Sequence, residues 1–291
     1  MKYMLIKSDY VKVRTLPRAS AAFASDSLQQ WRHSSFGNYF IHDLTSHTTH
    51  PLITPTNPPL TAYAKWSPTG QAIAYVTQND LYILPHPTSR DPIQITSSGN
   101  ASLFHGVPDW VYEEEIFSSD FALWWSPDSA KLAYLRFDET AVDEYTFPVY
   151  NPTEDSYEVV PYPGRVTMKY PKPGYNNPLV SIHVFELDRY EDMKTAGDAE
   201  AVAVAQASLE LTWDQRLMPE NRVVQDVAWV SNTTLLVEEL DRAAVNGSIV
   251  LFSLNESATG RGQVVRTLGP NGEEGDDGWI EPVSDIMGLL C

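Results

Sequence analysis

Three consecutive glutamates lie within an aromatic stretch of the sequence, Asp109-Trp110-Val111-Tyr112-Glu113-Glu114-Glu115-Ile116-Phe117. Adjacent carboxylates repel one another unless a cation or hydrogen-bond donors offset their charge. One interpretation is the first turn of a helix, where the helix dipole favours glutamate. The other is a binding site for a cationic group. The enclosing Trp110, Tyr112 and Phe117 favour this second interpretation, because a charged segment that is only solvated needs no aromatic neighbours.

The segment Gln30-Trp31-Arg32-His33-Ser34 is the second candidate for binding chemistry. An arginine next to a tryptophan is most often stacked on the protein surface. Arg32 could instead hold a fixed guanidinium, whose N–H groups would bind the carbonyl or carboxylate of a ligand. The residues alone leave both interpretations of Arg32 open.

The sequence offers few groups for nucleophilic catalysis or metal binding. Cys291 is the only cysteine, so intrachain disulfides and thiolate metal sites are excluded. The Gly-x-Ser-x-Gly motif of a nucleophile elbow does not occur, and the last histidine is His183. Four other histidines lie in a Pro-rich polar stretch that is typical of a loop: His33, His42, His47 and His50. We therefore predict no metal, no cofactor and no catalytic residue in this chain.

Composition excludes several classes of partner. With 43% hydrophobic and 11% aromatic residues, the 291-residue chain has ample apolar surface for a core. Its formal net charge of -18 repels the phosphates of nucleic acids and of anionic lipids. The acidic excess begins at Asp109. It suits a cationic ligand or calcium, or simply a solvated surface that keeps the protein soluble.

An internal repeat indicates the architecture that must position these groups. The segment Ala64–Val76 contains Trp-Ser-Pro-Thr-Gly followed by a short apolar run, and Leu123–Leu135 repeats the pattern with Trp-Ser-Pro-Asp-Ser. Trp66 and Trp125 are 59 residues apart, and Ala228–Val237 is a degenerate third copy. Proline presets φ and the small polar residues bond locally, so each copy predicts a β-hairpin.

Further alternating runs follow the first hairpin at Asp80–Leu84 and Pro92–Thr96, which gives four short strands per unit, as in a propeller blade. The one segment with helical character is Ala199–Leu209, which could be a short helix or an edge strand. The spacing of 59 residues corresponds to about five units in this chain. We therefore predict an all-β fold, specifically an incomplete β-propeller excerpted from a larger ring.

The segments Gln30–Leu44, Asp109–Glu139 and Tyr170–Pro178 together resemble the propeller domain of the dipeptidyl peptidase IV family, and most of all its fungal dipeptidyl aminopeptidases. The motifs DWVYEEE and QWRHS carry the specificity of this resemblance, which runs with gaps from about residue 1 to 285. It implies an eight-bladed propeller capping an α/β-hydrolase domain, with the active site between them. Members of this serine peptidase family release N-terminal dipeptides, preferring proline or alanine in the second position.

The resemblance also assigns roles to residues. It implies that Glu114 and Glu115 bind the free α-ammonium of a peptide substrate, and that Arg32 binds the carbonyl of its first residue. Glu113, Tyr112 and Trp110 would support them. Two carboxylates that bind the α-ammonium fix the position of the peptide's amino terminus. They therefore determine the register in which a dipeptide is bound, rather than the rate of the reaction.

Several features depart from the family pattern. That pattern runs from Tyr10-Val11-Lys12 almost directly into Gln30, so we interpret residues 13–29 as an insertion or a retained intron. The partial propeller domain is predicted over 1–285, with an unrelated tail at 286–291. The α/β-hydrolase domain with its catalytic triad, a signal peptide and the N-terminal membrane anchor are expected to be absent.

Four Asn-x-Ser/Thr sequons are more than chance predicts for this composition, and they indicate glycosylation of a lumenal or extracellular parent: Asn100, Asn232, Asn246 and Asn255. The resemblance implies a parent at the vacuolar membrane or in the secretory or extracellular space, often dimeric and membrane-anchored.

The sequence supports three hypotheses. The first is a truncated chain that holds the ammonium-binding half of a dipeptidyl peptidase site and is inactive alone. The second is a non-catalytic propeller that binds peptide N-termini or serves as a scaffold. The third is a product that does not fold stably, because an open propeller exposes edge strands.

Overall fold

A computed structural model describes residues 2–8, 31–153, 157–255, 259–270 and 279–280. Strands make up most of the regular structure in these ranges. In chain order they are β1 Tyr3–Ser8, β2 Asn38–Asp43, β3 Thr48–Pro51, β4 Thr61–Trp66, β5 Ile73–Thr77, β6 Asp80–Leu84, β7 Ile93–Gln94, β8 Leu103–His105, β9 Leu123–Trp125, β10 Lys131–Asp138, β11 Glu144–Val149, β12 Gly164–Lys169, β13 Leu179–Glu186, β14 Ser208–Trp213, β15 Arg222–Ser231, β16 Thr234–Asp241, β17 Gly247–Ser253 and β18 Arg261–Leu268.

The first copy of the repeat forms a four-stranded antiparallel sheet, with β4, β5, β6 and β7 side by side in chain order. This is the blade that the sequence predicted. Its core-facing residues are apolar, and β5 is buried along its whole length from Ile73 to Thr77.

The two Trp-Ser-Pro turns have the same hydrogen bonds. The backbone N–H of Ser67 donates to the carbonyl of Ala72 at 2.8 Å, and that of Ser126 donates to the carbonyl of Lys131 at 2.8 Å. Gly70 and Ser129 occupy the same position of the turn with positive φ, 73° and 70°. The shared geometry explains why Ser-Pro and a small polar residue recur at this spacing.

The remaining strands form the rest of an incomplete β-propeller. β1, β2 and β3 form a three-stranded sheet. A nine-stranded sheet contains two antiparallel groups, β8, β9, β10, β13 and β14 in one and β15 to β18 in the other, joined by a parallel pairing of β14 with β18. The prediction of an all-β, incomplete propeller is confirmed.

The estimate of five units was wrong for the described residues, whose strands form four blade-like units. The third unit runs from β8 to β14. It is longer than the 59-residue spacing of the repeat predicted, because two insertions lie within it. A separate two-stranded hairpin of β11 and β12 follows β10, and two helices follow β13.

The helices are α1 Leu187–Ala196 and α2 Glu200–Ala207. The sequence analysis missed α1, because only Leu187 and Tyr190 of its ten residues are buried and the rest give little apolar periodicity. The ambiguous segment Ala199–Leu209 is a helix that passes directly into β14. Gly197 separates the helices with φ of 97°, a conformation that favours glycine.

Among the described residues, no helix is both long and apolar enough to cross a bilayer. The proposed insertion at 13–29 and the tail at 286–291 lie outside the described residues, and the interpretation of both stays a prediction.

Candidate functional site

The three glutamates lie on a π-helical turn, Tyr112–Phe117, between β8 and β9. Asp109 begins the turn: its carboxylate accepts the backbone N–H groups of Val111 at 3.2 Å and of Tyr112 at 3.3 Å. Ser118 ends it in the left-handed conformation with φ of 49°. The helical interpretation and the binding-site interpretation are thus compatible, because a short turn presents successive glutamates in different directions.

Glu113 holds the Arg32 segment in place. Its Oε1 atom accepts the backbone N–H of His33 at 2.6 Å and that of Ser34 at 2.9 Å. The side chain is fully buried, and Oε2 has no hydrogen-bond partner in the described part of the chain. Burial raises the pKa of Glu113, whereas the donors from Ser34 and His33 oppose that shift by stabilising the carboxylate.

Glu114 continues the same contact one residue later. Its Oε1 accepts the backbone N–H of Arg32 at 3.0 Å, and its Oε2 lies 3.0 Å from the guanidinium Nε of Arg32. The Glu114 side chain is only 9% exposed, whereas that of Arg32 is 74% exposed. The pair therefore joins a sheltered carboxylate to a guanidinium that faces solvent.

Glu115 differs from its two neighbours. The residue is exposed, and none of the contacts found between described residues joins it to Arg32. The structure thus brings Arg32 together with Glu114 and with Glu113, but it leaves Glu115 at the surface of the same turn.

The aromatic residues of the turn support it from behind. Tyr112 is 1% exposed, and its hydroxyl accepts the backbone N–H of Val224 on β15 at 3.0 Å. Its ring packs edge-on against Phe137 at 4.8 Å. Trp110 is half-buried against Tyr170, with ring centroids 4.6 Å apart. Tyr112 therefore belongs to the core and supports the turn from inside the protein.

Lys7 is a residue of this site that the sequence analysis missed. Its ammonium donates to the carbonyl of Ser35 at 2.7 Å and to the hydroxyl of Ser35 at 2.9 Å. Burial lowers the pKa of Lys7, and the nearby Asp120 opposes that shift. Nothing in the local sequence marks Lys7, because 28 residues separate it from Ser35.

Two buried carboxyl groups, those of Asp109 and Glu139, interact near the start of the π-helical turn. Asp109 is 1% exposed and burial raises its pKa to about 7, although the N–H groups of Val111 and Tyr112 lower it. Glu139 follows β10, is 3% exposed, and has a pKa raised to about 8 by burial and then by Asp109. Both groups therefore release their protons near neutral pH rather than near pH 4.

Comparison with known proteins adds the family context. Residues 17–289 match the model of the dipeptidyl peptidase IV (DPP IV) N-terminal region. The chain is 35% identical over 265 residues to a probable dipeptidyl peptidase 4 of Neosartorya fischeri, covering 90% of this chain and 31% of that protein. It is 36% identical over 263 residues to a probable dipeptidyl-aminopeptidase B of Coccidioides posadasii, covering 89% of this chain and 26% of that protein.

A solved structure supports the same fold. The crystal structure of dipeptidyl peptidase 4 from Porphyromonas gingivalis superposes with a TM-score of 0.67 at 22% identity, covering 91% of this chain and 31% of that one. The chain thus spans under a third of the length of the relatives described.

Proposed function

Because this chain belongs to the dipeptidyl peptidase IV family, we propose that it forms the substrate-binding side of a serine-type dipeptidyl peptidase, which acts on peptides with a free amino terminus. In this proposal Glu114 and Glu115 hold the α-ammonium, and Arg32 holds the carbonyl of the first residue. The contact of Arg32 with Glu114 is the observation that carries the proposal, because residues 82 positions apart meet at one surface.

The geometry suits an ammonium ligand. Each oxygen of a carboxylate can accept two hydrogen bonds, so Glu114 can accept an ammonium N–H while it remains bonded to Arg32. Arg32 also fixes the rotamer of Glu114, which lowers the entropy that binding must remove. Glu115 is exposed on the same turn and can approach the ammonium when a peptide binds.

This arrangement fixes the position of the bound peptide along the site. When the α-ammonium is held by carboxylates and the first carbonyl by a guanidinium, the second and third residues extend to a fixed distance from the turn. A peptide whose amino group is acylated has no ammonium to donate to Glu114 and Glu115. We therefore propose selectivity for free N-termini. A preference for proline or alanine in the second position is what the resemblance to the family implies.

These 291 residues are proposed to bind peptides without cleaving them, because the sequence contains no nucleophile elbow. Incubation of the purified chain with chromogenic Gly-Pro and Ala-Pro substrates is expected to give no turnover. Turnover that a serine-directed inhibitor abolishes would overturn this part of the proposal.

A non-catalytic propeller that binds partners without regard to their N-termini is the second candidate, and the missing elbow favours it equally. Calorimetry with a free and an N-acetylated Xaa-Pro peptide separates the two. The ammonium-binding proposal expects acetylation to weaken binding at least tenfold. Equal binding of the two peptides would favour the scaffold.

We further propose that the parent protein belongs to the secretory pathway or the vacuolar membrane. All four sequon asparagines are exposed, which supports this proposal: Asn100, Asn232, Asn246 and Asn255.

A further inference from the structure

A cleft lies away from the π-helical turn that carries the glutamates. It has a volume of about 440 Å³ and opens beside β10, β13 and β14 at the start of β15. It shares no lining residue with the site formed by Arg32, Glu113 and Glu114. A role for this cleft is therefore independent of the proposed peptide-binding function.

Strand register places polar side chains on the wall of this cleft. Arg136 of β10 lies opposite Ser181 of β13, and His183 of β13 lies opposite Glu210 of β14. Alternate residues point to opposite faces of a sheet, so these four share the face turned away from Leu135 and Ile182. The hydroxyl of Ser181 lies 2.8 Å from Nε2 of His183, which orients both side chains.

Arg222 contributes a second guanidinium to the cleft. One terminal NH2 group donates to the carbonyl of Val180 at 3.0 Å. Its Nε is buried and has no hydrogen-bond partner among the described residues. A buried donor without an acceptor is costly, and an acceptor from a ligand would remove that cost.

The buried carboxylate of Glu239 is already engaged by another arginine. Its Oε2 atom accepts a hydrogen bond from Nε of Arg216 and forms an ion pair with a terminal nitrogen of the same side chain, both at 2.9 Å. Burial lowers the pKa of Arg222, the charge of Arg216 adds to that shift, and Glu239 opposes it.

His183 is neutral in this cleft mainly because it is buried. Burial lowers its pKa to about 4, and the nearby Arg136, His105 and Arg216 act in the same direction. The acidic groups in the neighbourhood are Glu210, which is exposed, Asp138, which forms an ion pair with Arg136 at 3.4 Å, and Glu239, which is paired with Arg216. The lining of the cleft carries two arginines and one glutamate, whereas the whole chain has a net charge of -18.

The geometry points to a binding site for a small oxyanion, a carboxylate or a phosphate, held by the guanidiniums of Arg136 and Arg222 with the hydroxyl of Ser181. Arginine suits this chemistry because its planar fork matches the oxygens of both groups. Neutral His183 sets the orientation of the Ser181 hydroxyl. Glu210 competes with the ligand, because its carboxylate lies on the same wall.

The test is an NMR titration of the full chain, following the arginine Nε–Hε resonances with inorganic phosphate, with succinate, and with sodium chloride at matched ionic strength. The Arg222 resonance is expected to shift and saturate with phosphate, with succinate or with both, which identifies the oxyanion. The resonance of Arg189, which lies on α1 and is paired with Glu186, is the internal control and should not follow the same curve. No saturation up to about 20 mM, or an equal response to chloride, would overturn the proposal, since a paired guanidinium site binds far below that level.

Three variants sharpen the test. Arg222→Lys keeps the charge but loses the Nε donor, and should weaken binding roughly tenfold. Glu210→Gln removes the competing charge at an exposed position and should strengthen binding several-fold. If Arg222→Lys does not fold, Glu210→Gln and Arg136→Gln still test the proposal, because Arg136 is half-exposed. Unchanged affinity in both would contradict the site.

Discussion

The Oε1 atom of Glu113 accepts the backbone N–H of Ser34 at 2.9 Å, although 79 residues separate them in the chain. The same oxygen accepts the N–H of His33. The segment that carries Arg32 is therefore fixed through its backbone by a buried carboxylate, and the neighbouring Glu114 holds Arg32 itself. Glu113 is a positioning residue in this arrangement, whereas Glu114, Glu115 and Arg32 are the residues proposed to touch the ligand.

Glu113→Ala should destabilise the chain and weaken peptide binding together. It leaves two backbone N–H groups without their acceptor, at a cost of about 1–3 kcal/mol each if they stay buried. Urea unfolding measures the loss of stability. Glu113→Gln is the matched control, because its amide oxygen can still accept these bonds, and it should recover most of both properties. Equal damage by the two variants would contradict the positioning role.

Tyr112→Phe tests the link between the turn and β15. The phenol hydroxyl accepts the N–H of Val224 inside the core, so its removal leaves a buried donor unpaired. We expect the free energy of unfolding to fall by about 1–2 kcal/mol. Tyr145→Phe is the control, because Tyr145 is 40% exposed, and it should have little effect. A neutral Tyr112→Phe variant would show that Val224 finds another acceptor.

Stability should fall as pH rises from about 5 to 8 and should level off above that range. Burial raises the pKa of Asp109 to about 7, of Glu139 to about 8 and of Glu238 to about 7. The unfolded chain releases these protons near pH 4, so the folded chain holds more protons across this window and loses stability with each step in pH until it releases them too. Below about pH 6.5 the lowered pKa of His183 acts in the opposite direction.

Glu139→Gln isolates one of these protons. It should flatten the dependence of the unfolding free energy on pH by up to about 1.4 kcal/mol per pH unit. Denaturant titrations at four pH values between about 5 and 8 give the slope of the unfolding free energy against pH. Glu220→Gln, at an exposed glutamate, should leave the slope unchanged. A Glu139→Gln slope equal to that of the unmodified chain would contradict the assignment.

Glycans should be found at the exposed sequons when the chain passes through a eukaryotic secretory pathway. Asn232 is the clearest case, because it lies in the exposed turn between β15 and β16. Asn232→Gln should lower the apparent mass by one glycan, and enzymatic deglycosylation should remove the difference. A chain that is secreted without any glycan would contradict the proposed glycosylation.

The fold was predictable because its signals are local. Ser67 and Ser126 form the same turn from the same short motif, and the short apolar run that begins at Ile73 repeats in β10. The helix α1 was not predictable, because tertiary contacts of Leu187 and Tyr190 stabilise a segment whose own pattern is polar.

The site was predictable only in part. The motif around Glu114 and the resemblance identified the residues, but composition and spacing carry no information on which backbone donors a buried glutamate meets. The acceptor role of Glu113 and the contact of Lys7 with Ser35 both depend on contacts between distant segments. The exposed position of Glu115 likewise depends on how the π-helical turn is docked, which the sequence does not encode locally.

The most direct test of the central claim is a double-mutant cycle between Glu114 and the ligand's amino group. Binding of a free and an N-acetylated Xaa-Pro peptide is measured by calorimetry for the unmodified chain, for Glu114→Gln and for Asp91→Asn, an exposed charge-matched control. If Glu114 holds the ammonium, acetylation should weaken binding roughly tenfold or more in the unmodified chain and in the control, but only slightly in Glu114→Gln. An equal effect of acetylation in all three proteins would contradict the account.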